Sequence, residues 1–157
     1  MKTVIVCVSV SHGNTRRVAD TIAGVLGARV VSPEDADPAE LAAADLVGFG
    51  SGVFHGRMHR RLTGFAGRLP GACRGRAFVF ATSGLPGFPP APFTRPLVRL
   101  LEGKGFEVEG AFSCRAFDTW GPFRLVGGIR RNRPGPDDLA AARAFAERLR
   151  AGRPGGA

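Results

Sequence analysis

Val4 to Thr15 reads VIVCVSVSHGNT, an apolar run that passes into hydroxyl residues, a glycine and the first residues of a helix. A continuous run of Val and Ile suits a strand buried on both faces, and such strands belong to parallel sheets. Beyond Gly13, the apolar residues Val18, Ala19, Ile22, Val25 and Leu26 recur at helical spacing. The stretch is therefore a strand, a polar turn and a helix N-terminus. The first backbone N–H groups of a helix have no intrahelical acceptor and carry partial positive charge. A turn built from Ser9, Ser11, His12, Gly13, Asn14 and Thr15 accordingly suits a phosphate group. The plainer role of the same residues is a strand-to-helix turn capped by Asn14 or Thr15.

The pattern repeats along the chain. Gly27 stops the first helix, Arg29–Val31 is a second strand, and Ser32–Ala44 holds turn residues followed by a brief helix. Leu46–Phe49 is a third strand ending in Gly50-Ser51-Gly52, and Met58, Leu62, Phe65 and Ala66 follow at helical spacing. Ala77–Ala81 is a fourth buried strand. Thr82–Pro92 is a Gly/Pro-rich loop, because proline continues neither helix nor ladder. Leu97, Leu100 and Leu101 mark a helix stopped by Gly103, and the alternation of Phe106–Phe112 marks a half-exposed edge strand. Cys114–Pro134 is a long connection holding the single tryptophan, Trp120. Pro136, Asp137 and Asp138 open a last helix with the stripe Leu139, Ala142, Phe145, Ala146 and Leu149.

Five strands alternating with helices give an α/β three-layer sandwich, a five-stranded parallel sheet covered on both faces by right-handed crossovers. A deeply apolar first strand and an edge-like fifth favour the order 2-1-3-4-5, which binds ligands at the switch point between strands one and three. That mouth is bounded by Ser9–Thr15, Ser51–Met58 and Thr82–Pro92.

A chain of 157 residues with 44% hydrophobic content is one domain, residues 1–151, with 152–157 as a disordered tail. No signal-like segment or membrane-length apolar run occurs, so the expectation is a cytoplasmic protein. Cys7, Cys73 and Cys114 are widely spaced and form no metal-binding motif. The net charge of +9 admits an acidic protein partner. Of 22 basic residues only Lys2 and Lys104 are lysine, and the 20 arginines are scattered without a basic run, which argues against nucleic acid.

With these residues assembled, Ser9 to Thr15 after the first strand, and Gly50-Ser51-Gly52 with Gly56 after the third, resemble the flavodoxin-like family of FMN-binding proteins. The likeness spans nearly the whole chain. The loop spacing resembles the flavodoxin-type domain of quinone-linked protoporphyrinogen dehydrogenases, and FRLVGGIRRNRP at 123–134 is similar to small flavodoxin-family proteins. The resemblance implies FMN as cofactor, with its phosphate in the first loop and its ring between the second and third. Ser51, Gly52, Val53, Phe54, His55 and Gly56 would face the ring edge, and Thr82, Ser83, Gly84 and Leu85 its pyrimidine side. The chain has no tyrosine, so Phe54, Phe88 and Trp120 are the aromatics available to stack on the ring. His55 and His59, four apart, read as solvated, with proton donation by His59 as the alternative. No residue is assigned a catalytic or metal-binding role. The implied function is electron carriage between protein partners. The alternatives are a quinone- or porphyrinogen-linked dehydrogenase and a cofactor-free binding module.

Overall fold

Strand β1 (Thr3–Val8) is buried at every position. Its alternation sorts side chains between two layers: Val4, Val6 and Val8 face one, Ile5 and Cys7 the other. Helix α1 (Asn14–Leu26) lays Val18, Ala19, Ile22, Ala23 and Leu26 on the second layer and ends where Gly27 turns left-handed at φ 65°. After β2 (Arg29–Val31), the short α2 (Pro38–Ala43) is started by Asp37, whose carboxylate accepts from the Ala39 N–H at 3.0 Å. There follow β3 (Leu46–Phe54), β4 (Arg57–Met58), α3 (Arg60–Gly67), β5 (Arg76–Ser83), α4 (Arg95–Gly103), β6 (Glu107–Arg115) and α5 (Pro136–Ala151). This computed structural model describes residues 1–9, 13–54, 57–71, 75–83, 93–115 and 136–152. Residues 116–135, most of the long connection with Trp120, lie outside the described residues, as do residues 153–157 of the tail.

The sheet runs β2-β1-β3-β5-β6 with every neighbour parallel, and β4 turns back antiparallel against the end of β3. This is the expected order 2-1-3-4-5 with one short strand added. Helices α1 and α5 pack on one face, α3 and α4 on the other.

Three expectations need correction. The third, fourth and fifth strands are longer than their apolar runs: β3 continues through Gly50-Ser51-Gly52 to Phe54, β5 includes Thr82 and Ser83, and β6 runs on through Cys114 to Arg115, which pair with Thr82 and Ser83 and so leave the long connection. Parallel neighbours supply ladder partners to those polar residues, Ser51 beside Val8 and Ala81, and Gly52 beside Thr82. Met58 belongs to β4 and not to α3, its register partner being Val53. Gly103 is the last residue of α4, and the chain reverses at Gly105, where φ is 100°.

The glycines of β3 have a packing cause. Gly48 and Gly50 alternate onto the α1/α5 face, and the rings of Phe78 and Phe80 from β5 lie over them. A Cβ at Gly48 would stand 2.3 Å from Phe78 Cζ, and one at Gly50 would stand 2.1 Å from Phe80 Cζ. The two rings stack with centroids 6.2 Å apart, and Phe145 of α5 meets Phe78 edge-on at 5.9 Å. At the opposite end of the sheet, Arg76 binds Glu109 of β6 at 2.6 Å and the Leu149 carbonyl of α5 at 3.3 Å. That pair ties β5, β6 and the end of α5 together.

Two predictions follow from this packing. Gly50→Ala overpacks the ring of Phe80 and should cost about 1–3 kcal/mol in chemical denaturation, with partial recovery when combined with Phe80→Leu. The second concerns Cys7, whose thiol is pushed from its ordinary 9.0 up to about 12 by burial, with Arg16 opposing and Asp20 adding a little. The fold therefore favours the neutral thiol. Its contribution to stability is complete below about pH 9 and is lost as pH rises toward 12. Urea midpoints measured across that window should fall less steeply in Cys7→Ala than in the parent chain.

Candidate functional site

The carboxyl ends of β1, β3 and β5 bring the three sequence-read segments to one edge of the sheet. At the first, Ser9 leaves β1 and its Oγ accepts the Arg16 backbone N–H at 3.1 Å. That hydroxyl proton is then free to point away from the helix. Gly13 precedes α1 in the left-handed conformation, φ 69° and ψ 20°, and its carbonyl accepts the Arg17 N–H at 3.1 Å. A side chain there would strain the backbone. Among the described residues Ser9 supplies the side-chain oxygen that meets a first-turn N–H of α1, and no acidic residue stands in that turn. Neither Asn14 nor Thr15 acts as the cap, because the helix has already begun at Asn14.

The second segment is a tight return. Val53 pairs with Met58 and Phe54 with Arg57. Ser51, fully buried, donates its Oγ proton to the Gly52 carbonyl at 2.8 Å and accepts the His59 N–H at 3.0 Å. One hydroxyl thus pins the start of α3 to the end of β3. His59 Nδ1 in turn accepts the Arg61 N–H at 3.0 Å, so the imidazole caps α3. An accepting Nδ1 is unprotonated. Burial, helped by Arg61 and Arg60, holds the His59 pKa below its ordinary value. The ring thus serves as the cap of α3, a role that the reading of a solvated histidine did not include.

At the third segment Thr82 is buried, and its hydroxyl shares a 2.7 Å hydrogen bond with the equally buried hydroxyl of Thr15 in the first turn of α1. This bond spans from the α1 layer to β5 across β3. Strand alternation places Gly52, the register partner of Thr82, on the α1 face, so β3 raises no side chain at that level. Thr15 and Thr82 are therefore a clamp between two walls of the mouth. Nothing in the one-dimensional pattern joins residues 67 apart, and the only signal was that both are β-branched hydroxyl residues beside an apolar element.

Of the residues read from sequence, Ser9, Gly13, Asn14, Thr15, Ser51, Gly52, Val53, Phe54, Thr82 and Ser83 lie in these three segments. Ser11, His12, His55, Gly56, Gly84 and Leu85 lie outside the described residues, as do Phe88 and Trp120. Among the described residues no group of three His, Cys, Asp or Glu is placed to hold a metal ion, and no helix is long and apolar enough to cross a membrane.

Comparison with known proteins agrees with this geometry. A family model described as a flavodoxin domain matches residues 5–86, from β1 past the end of β5. Uncharacterized protein MJ0298 of Methanocaldococcus jannaschii is 36% identical over 149 residues, 95% of this chain and 98% of that protein. The flavodoxin of Streptococcus pneumoniae superposes with a TM-score of 0.67 at 18% identity, over 96% of this chain and 99% of its own. An NADH:FMN oxidoreductase in its apo form gives 0.67 at 18% identity, over 98% and 92%. Likeness at such identity establishes the fold, while the family model and the M. jannaschii relative establish kinship. The chain belongs to the flavodoxin domain family, and at that level it is a flavin-binding redox protein.

Proposed function

We propose that this protein binds FMN at the carboxyl ends of β1, β3 and β5 and carries electrons between protein partners. The observation that supports this most is the opening of α1. A phosphate dianion needs convergent donors, close backbone approach and no competing carboxylate. The chain offers a helix start with no acidic residue in its first turn, a left-handed glycine before it, and a serine whose oxygen holds the Arg16 N–H and leaves its hydroxyl proton to donate. The residues at this edge fit the group.

Ser9, Ser11, His12, Gly13 and Asn14 would hold the phosphate, with Thr15 adding its backbone N–H while its hydroxyl stays on Thr82. Ser51 to Gly56 and Thr82 to Leu85 would hold the ring. Bound there, FMN supplies reversible uptake of one or two electrons. The chain's own part is position. Ser51 fixes the β3–α3 junction, the Thr15–Thr82 bond fixes the width of the mouth between α1 and β5, and Gly13 lets backbone come close. His59 contributes the cap of α3.

Ser9 and Thr15 therefore separate experimentally. Ser9→Ala removes a hydroxyl donor to a charged phosphate, worth about 1.5–3 kcal/mol, and should weaken FMN binding roughly tenfold to a hundredfold in a fluorescence titration. Thr15→Val leaves the Thr82 hydroxyl without its partner and should cost about 1–3 kcal/mol of stability. Unchanged FMN affinity in Ser9→Ala would reduce Ser9 to a helix-start residue and remove the main support for the phosphate site.

A further inference from the structure

The helices divide by the sign of charge at their openings. A helix N-terminus is the positive end of the backbone dipole, so acidic residues there stabilise and basic ones destabilise. Helices α2 and α5 obey: Glu40 stands in the first turn of α2, and Asp137 and Asp138 in that of α5. Helices α1, α3 and α4 do the reverse. None has an acidic residue in its first turn, and they open with Arg16-Arg17, Arg60-Arg61 and Arg95. The rule is kept after the marginal strands β2 and β6 and broken after the three central strands that bound the mouth.

Arg16 is engaged by Asp20 at 2.9 Å and Arg61 by Glu34. Arg17, Arg60 and Arg95 are exposed and form no ion pair among the described residues. Resting on the reading of the mouth as a redox-cofactor site, we propose that the electron-transfer partner is an acidic protein whose carboxylates dock on these three arginines.

The layers carry the choice of partner. Helix α1 covers one face of the sheet and α3 and α4 the other, so the free arginines straddle the sheet edge. Two layer spacings of about 10 Å separate Arg17 from Arg60 and Arg95, wider than one phosphate group and suited to a protein face. The carboxylates of Asp20 and Glu34 sit on Arg16 and Arg61, the chain neighbours of Arg17 and Arg60. They would repel a continuous phosphate backbone but interleave with the discrete charges of a protein surface.

The test uses the full chain and labelled poly-L-glutamate as the probe, read by fluorescence anisotropy at low ionic strength, with and without saturating FMN. The variant Arg17→Glu/Arg60→Glu/Arg95→Glu is compared with Arg68→Glu/Arg143→Glu/Arg150→Glu, whose arginines are exposed and lie away from the helix openings. Three reversals of two units each take the net charge from +9 to +3 in both. The first set should weaken binding about tenfold or more and the second only slightly. The first set should also unfold at the same temperature as the parent or a higher one, since glutamate suits a helix N-terminus.

Equal losses in the two sets would mean diffuse attraction to a basic protein and would overturn the proposal. So would a duplex oligonucleotide that binds more tightly than poly-L-glutamate and loses binding with the first set. Because the probe is read with and without FMN, a chain that takes no flavin refutes the cofactor site alone. A chain that takes flavin but shows equal losses refutes the docking alone.

Discussion

Two aromatic rings resting on two glycines set the surface on which the rest of this fold stands. Phe78 over Gly48 and Phe80 over Gly50 leave no room for a side chain on that face of β3. The rings then become the floor for α1 and α5, with Phe145 seated edge-on against Phe78. Overfilling a close-packed layer forces rotamer or backbone shifts that it absorbs poorly. Anything that changes the depth of this floor therefore moves α1, and α1 carries the first wall of the mouth.

On that floor the mouth is held by few polar bonds, each buried or nearly so. The shared hydrogen bond of Thr15 and Thr82 links helix to strand over Gly52, and the Ser51 hydroxyl links β3 to the start of α3. Buried hydroxyls without partners are costly, so these bonds fix geometry more firmly than their modest net energies suggest. Among the described residues these two bonds join α1 to β5 and β3 to α3 at this edge of the sheet.

Charge adds a second layer of organisation. Helix-opening acids at the margins of the sheet stabilise their own helices, whereas the central openings carry arginine against the dipole. Carboxylates within the fold answer some of the basic residues: Glu34 is held below the usual carboxylate range by its bond to Arg61, and Arg76 is matched by Glu109. Arg17, Arg60 and Arg95 remain exposed at the central openings without an ion pair among the described residues.

Periodicity alone determined the α/β class and the strand order, because burial on both faces or on one leaves its mark in the spacing of Val4–Val8, Val18–Leu26 and Phe106–Phe112. The limits of β3 and β5 were not legible. Gly50-Ser51-Gly52 and Thr82-Ser83 read as turn residues until parallel neighbours gave their backbone groups ladder partners. Gly50 read as a turn residue and Gly48 as an ordinary strand position, when both are the space that Phe78 and Phe80 occupy. The roles of Thr15, Ser51 and His59 were decided only in three dimensions. A hydroxyl or an imidazole bonds to whatever group the packing brings within about 3 Å, and that neighbour lies tens of residues away for Thr15 and on another element for Ser51.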